Sequence, residues 1–144
     1  MEPIMKLIEE GKFDQIDLDQ HPNYYKCMAE CVAEQKKRLG GNFAVAHAVA
    51  SRKMRDYIRT ILPDCIFIVM EMSKECQEKR IAARHGEASE AILDFCTTLY
   101  KLYESKGENE PNTIRLVVED GMSPLDVKSK VLEELSKLDW KTDQ

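Results

Sequence analysis

Cys65-Ile66-Phe67-Ile68-Val69-Met70 is the stretch on which the reading of the fold turns. It is rich in β-branched and aromatic residues and too short for a helix, so it reads as a buried strand. Pro63-Asp64 breaks the chain just before it. Just after it, Ser73 stands where a helix over residues 74–85 needs an N-cap, and Gly86 is a natural stop. Further on, Thr113-Ile114-Arg115-Leu116-Val117-Val118-Glu119 repeats the strand pattern. After the turn Asp120-Gly121-Met122, Ser123-Pro124-Leu125-Asp126 opens a last helix, with Ser as N-cap, Pro at N1 and an acid at N3. Strands that alternate with helices predict a parallel sheet covered by helices.

Working upstream, Asn42-Phe43-Ala44-Val45-Ala46-His47-Ala48-Val49-Ala50 is nearly continuously apolar and follows Gly40-Gly41. It reads as another buried strand, with a helix as the alternative because of its alanines. Ser51 is positioned to cap a helix over residues 52–62. Residues 24–39 read as a helix with Tyr24, Met28, Cys31, Val32 and Leu39 on one stripe and Lys36, Lys37 and Arg38 at its C-terminal end. Residues 1–23 are an irregular N-terminal segment that carries a short helix near residues 2–10. Residues 88–105 read as a helix through Ile92, Phe95, Cys96, Leu99 and Tyr103, and residues 140–144 are a polar tail. Val127, Val131, Leu135 and Leu138 form the expected buried side of the last helix. The expected fold is therefore α/β, one domain over residues 1–144, with three layers around a parallel sheet. Three strands are few for such a sheet, which points to an N-terminally incomplete one.

Composition fits this class. The chain has 144 residues, 43% hydrophobic and 33% charged, enough for an ordinary core without staples. Its 21 Lys and Arg against 26 Asp and Glu leave a net charge of −5, a poor basis for neutralising nucleic-acid phosphates. The longest clean apolar run is far short of the ~20 residues that span a bilayer, and residues 1–6 lack the features of a signal peptide. The cysteines Cys27, Cys31, Cys65, Cys76 and Cys96 are odd in number and scattered, as reduced thiols of a cytoplasmic protein would be. The expectation is no nucleic-acid partner and no membrane.

Two basic segments carry the candidate chemistry. Arg52 and Arg55 stand in the first turns of a helix that follows the strand expected at residues 42–50, where main-chain N–H groups and guanidinium forks together suit an anion. Arg80 and Arg84 are one helical turn apart, a like-charge pairing that an anion between them would relieve. Each segment also reads as a plain solvated helix face, the first with Asp56 and Arg59 in surface pairs. Other residues offer less. Cys27 and Cys31 with nearby His21 fall short of four convergent zinc ligands. His47 reads as a satisfied core histidine, His85 as a cation at a helix C-terminus, and Asp17 and Asp19 as solvated acids.

In order, Arg52-x-x-Arg55-Asp56-x-Ile58-Arg59, a hydrophobic strand, then Arg80-Ile81-x-x-Arg84-His85 resembles the C-terminal two-thirds of a P-loop small-molecule kinase. The pattern is most similar to the gluconokinase group and more distantly similar to shikimate and adenylate kinases, over roughly residues 24–138. The resemblance implies a P-loop NTPase fold and phosphoryl transfer from ATP with Mg²⁺. By it Arg80 and Arg84 would be catalytic lid arginines, and Arg52 and Arg55 would face the phosphoryl acceptor, a sugar acid or a nucleotide. Gly121, Met122 and Pro124 would cradle the adenine. The sequence departs from the family at one decisive place. Its six glycines, at 11, 40, 41, 86, 107 and 121, include none that opens Gly-x-x-x-x-Gly-Lys-Ser/Thr, so the phosphate nest, its lysine and the Mg²⁺ hydroxyl are missing. No protein metal site is expected.

Two functions follow. In the first, the chain supplies the lid and acceptor side of an ATP-dependent kinase, as a fragment or a degenerate relative that is inactive alone. In the second, it is a non-catalytic binding module that dimerises, or pairs with a partner, through an open sheet edge.

Overall fold

The computed structural model describes residues 2–17, 23–85, 97 and 100–138. The helix starts are where the local chemistry puts them. Helix α1 is Glu2–Glu10, and a 3-10 turn follows at Phe13–Gln15. Helix α2 is Tyr24–Leu39 and α3 is Arg52–Ile61. Strand β1 is Phe67–Glu71, α4 is Lys74–His85, β2 is Thr113–Val117 and α5 is Pro124–Ser136. Ser51 Oγ accepts from Met54 N at 3.2 Å. Ser73 Oγ accepts from Cys76 N at 3.1 Å. The Ser123–Asp126 capping box is complete, with Pro124 in the first turn.

The chain divides into two compact units, residues 1–65 and residues 66–140. In the first, Phe13 is the hub. Its ring meets Tyr25 edge-on at 5.9 Å and Tyr57 at 5.4 Å. Ile8, Ile16, Ala29, Met54 and Ile58 are buried as well. The buried stripe of α2 differs from the expected one by about one position. Tyr25 and Ala29 are its buried residues, flanked by half-buried Met28 and Val32, while Cys31 and Leu39 are exposed. That set still has helical spacing, so the period was right and the phase was not.

The second unit is built on a two-stranded parallel ladder, with Phe67 beside Thr113 and Glu71 beside Val117. Residues paired in register share a face. Ile114 and Leu116 are buried, and α5 packs on β2. Their partners Ile68 and Met70 are 39% and 44% exposed. On the opposite face Val69 and Thr113 are buried, and Arg115 Nη2 reaches Glu71 Oε2 across the strands at 2.6 Å. On α5, Val127, Val131 and Leu135, the expected buried side, are half-buried, and Leu138, past the end of the helix, is exposed.

Residues 42–50 are the main correction. They form no strand, and residues 41–48 are exposed. A run of apolar residues becomes a strand only when another edge takes its main-chain hydrogen bonds. Here the helix-ending glycines leave α2 with φ of +65° and +69°, and no ladder follows. Arg52 therefore opens a helix that follows a loop, not a strand. His47 is corrected with it. It is an exposed residue, hydrogen-bonded to the Tyr24 hydroxyl, with ring centroids 5.2 Å apart. The expected helix at 88–105 lies mostly outside the described residues, although Thr97 and residues 100–102 are helical. Gly86, residues 18–22 and the tail at 140–144 also lie outside them.

The buried Ser51 cap gives a direct test of this reading of α3. Ser51→Ala should lower stability by about 1 kcal/mol, read as a shift of the urea midpoint with an unchanged slope.

Candidate functional site

In open α/β sheets, ligands bind beyond the C-terminal ends of parallel strands, because connecting loops diverge there. The second unit has an open cleft of about 430 Å³ at that place. Glu71, Met72 and Ser73 line it from the end of β1, and Val117, Val118, Glu119 and Asp120 line it from the end of β2. The ladder fixes both walls, since Val118 N donates to Glu71 O at 2.7 Å.

The turn after β2 is shaped by Gly121, whose φ is +83°, a region that costs a side-chain-bearing residue roughly 1–2 kcal/mol. Met122 N donates to Glu119 O at 3.3 Å, and Glu119 N lies 3.2 Å from Met122 Sδ. Two cations of α4 reach this turn. Lys79 Nζ pairs with Asp120 Oδ2 and with Glu75 Oε1, both at 3.2 Å. The hydrogen bond to Asp120, then that to Glu75, holds the exposed ammonium above its ordinary pKa. Arg80 Nη2 donates to Met122 O at 3.2 Å. Arg84, one turn further along α4, is exposed.

The structure thus brings together Arg80 and Met122, two residues singled out from different parts of the sequence, with Gly121 on the same turn and Pro124 as the first residue of α5. Lys79 was missed. Its one signal was its place beside Arg80, which does not reveal that Asp120 would be within reach.

Arg52 and Arg55 belong to the first unit. Arg52 Nε donates to both carboxylate oxygens of Asp56 at 2.9 Å. Arg59 takes Asp56 Oδ1 at 2.7 Å from the other side. Arg55 is 0% exposed, with Nη1 donating to Ala50 O at 3.4 Å. Here the guanidinium groups serve α3 itself, as a surface network around Asp56 and a buried tie to the preceding loop.

Glu71 carries the cleft's clearest electrostatic signature. Partial burial works against its charge. Hydrogen bonds from Arg115 and Ser105, with the charge of Arg115, outweigh that and bring its pKa below the ordinary 4.5. Elsewhere, burial and then the neighbouring Tyr24 push the Tyr25 phenol up to about 12, and burial raises the Cys65 thiol. Asp17, expected to be merely solvated, accepts from Asn23 N at 2.8 Å and so ties the start of α2. Cys27, Cys31, Cys65 and Cys76 are present as thiols. Among the described residues no group of three or more His, Cys, Asp or Glu is placed to hold a metal ion. No helix among them is long and apolar enough to cross a membrane.

No family model matches the chain, and neither the curated proteins nor the solved structures give a match.

The Glu71 arrangement makes a pH prediction. A carboxyl with a lowered pKa in the folded state stabilises that state above its unfolded pKa. That contribution is lost as pH falls through the folded value. Melting temperature should therefore decline as pH drops from roughly 5 towards 3, and Glu71→Gln should flatten part of that decline. An identical acid limb in wild type and variant, followed by circular dichroism, would contradict the pairing with Arg115.

Proposed function

We propose that the chain is a nucleotide-binding module of the P-loop-kinase type that binds its ligand without transferring phosphoryl. The observation that carries this reading is the cleft beyond β1 and β2, with Lys79 and Arg80 tied to the turn at Asp120–Met122. The lining suits the two ends of a nucleotide differently. Glu71, Glu119 and Asp120 are acceptors, matched to ribose hydroxyls and an exocyclic amine. They would repel a triphosphate. The phosphates are better matched to Arg80 and Arg84 on α4, where planar guanidinium groups bind phosphate in a bidentate manner.

The residues do not fit a complete phosphoryl-transfer site for ATP and Mg²⁺. The chain has no Gly-x-x-x-x-Gly-Lys-Ser/Thr loop, and the cleft's own lining is acidic. Electrostatic stabilisation of a transferring phosphoryl needs donors preorganised around it. Binding is accordingly assigned here to the α4 face and the Gly121 turn. Arg52 and Arg55 are left with their roles in α3 and not assigned to a phosphoryl acceptor. The odd number and scattered placement of the cysteines agree with a cytoplasmic protein.

Calorimetric titration with ATP, with and without Mg²⁺, tests the reading. Saturable binding is expected, weakened at least about tenfold (1.4 kcal/mol) in the double variant Arg80→Ala, Arg84→Ala and unchanged in Arg52→Ala. No binding at millimolar ATP by a folded sample would overturn it, as would equal affinity in the double variant.

A further inference from the structure

Among the described serines one stands apart. Ser51, Ser73 and Ser123 give their hydroxyls to helix caps, and Ser129 and Ser136 belong to α5. Ser105 lies in neither helix nor strand and is exposed. The stretch that carries it is held on both sides. Before it, the Tyr103 hydroxyl donates to Met70 O at 2.9 Å. After it, Gly107 N donates to Glu110 Oε2 and Glu110 N donates to Gly107 O, both at 3.2 Å, and Glu110 is buried. Because Tyr103 meets β1 at Met70, Ser105 arrives beside the next residue of that strand. Its Oγ donates to Glu71 Oε1.

The other oxygen of Glu71 accepts from Arg115 Nη2 at 2.6 Å. Hydroxyl, carboxylate and guanidinium thus stand in one row. The carboxylate in the middle is 18% exposed, whereas the Arg115 side chain is 54% exposed. The planar fork of Arg115 can therefore be reached from solvent by a second anion, and a guanidinium takes phosphate in a bidentate manner.

We propose that Ser105 is a phosphorylation site and that its phosphate takes Arg115 from Glu71. The donor is ATP bound to a serine/threonine protein kinase. Ser105 Oγ attacks the γ-phosphorus, the new O–P bond forms as the bond to the β,γ-bridging oxygen breaks, ADP leaves, and the hydroxyl proton passes to a base of the kinase. The local sequence is Glu104-Ser105-Lys106-Gly107-Glu108, with an acid just before the hydroxyl and another three residues after it. Charge patterns of this kind are what kinases read in their substrates. The product changes every member of the row. Ser105 no longer has a proton to give Glu71. The phosphate brings a charge of about −1.5 to −2, which repels the carboxylate and offers three strong acceptors to Arg115. Since Glu71 lines the cleft beyond β1 and β2, the exchange leaves an unpaired carboxylate in the cleft wall. The proposal rests on the row itself and not on what the cleft binds.

The test treats the full chain with ATP, Mg²⁺ and a serine/threonine kinase that selects acids on the C-terminal side of its target. Peptide mass mapping should find the phosphoryl group on Ser105, and Ser105→Ala should abolish it. In the phosphorylated chain, side-chain NMR should show the Glu71 carboxyl titrating about 1 pH unit higher than before. Phosphorus NMR should show the phosphate's second proton leaving at a lower pH in the otherwise wild-type chain than in Arg115→Gln. No phosphoryl group on Ser105, an unmoved Glu71 titration, or the same phosphate titration with and without Arg115 would each overturn the proposal. Should Arg115→Gln misfold, the Glu71 titration in the phosphorylated wild-type chain decides alone.

Discussion

The parallel ladder between Phe67–Glu71 and Thr113–Val117 is the constraint on which the second unit depends. Parallel strands need a long crossover between them, and here that crossover begins with α4. The ladder places the ends of both strands side by side, and so places Glu71 near the turn that starts at Glu119. The cleft exists because two connections leave from that same end. Lys79 and Arg80 then lash α4 to the turn after β2. None of these contacts is strong alone, since surface pairs contribute little individually. Their effect is positional. They keep two cations close to a backbone turn that Gly121 alone among the local residues is free to make.

The first unit follows a different principle. Its order comes from an aromatic hub at Phe13 and from one arginine, Arg55, taken wholly inside. Buried guanidinium groups need acceptors, and the carbonyl of Ala50 is one of them. This is why the end of the 42–50 stretch is tied to α3. The same arginine that looked like an anion ligand in the sequence is thus a tie between a loop and a helix.

Much of the fold was legible from local chemistry. The caps at Ser51, Ser73 and Ser123, the stop at Gly40 and both strands of the ladder depend on a few neighbouring residues, and each was read correctly to within about two positions. The strand expected at 42–50 was not, because strand formation is a property of two segments and the sequence of one says nothing about its partner. The burial of Arg55 and the exposure of His47 were hidden for the same reason. The phase of α2 was missed because Tyr24 and Tyr25 are adjacent and equally apolar, and only packing against Phe13 decides between them. Arg80 and Met122, which lie beside the cleft and not in its lining, were singled out in the sequence, but their contact could not be read there.

The central claim is that small molecules meet this chain beyond the C-terminal ends of β1 and β2. The most direct measurement is a backbone amide NMR titration with an adenine nucleotide. The account predicts shifts concentrated at residues 71–73, 79–80 and 117–122, saturating together. Shifts concentrated at residues 43–59 instead, or none at millimolar ligand, would contradict it.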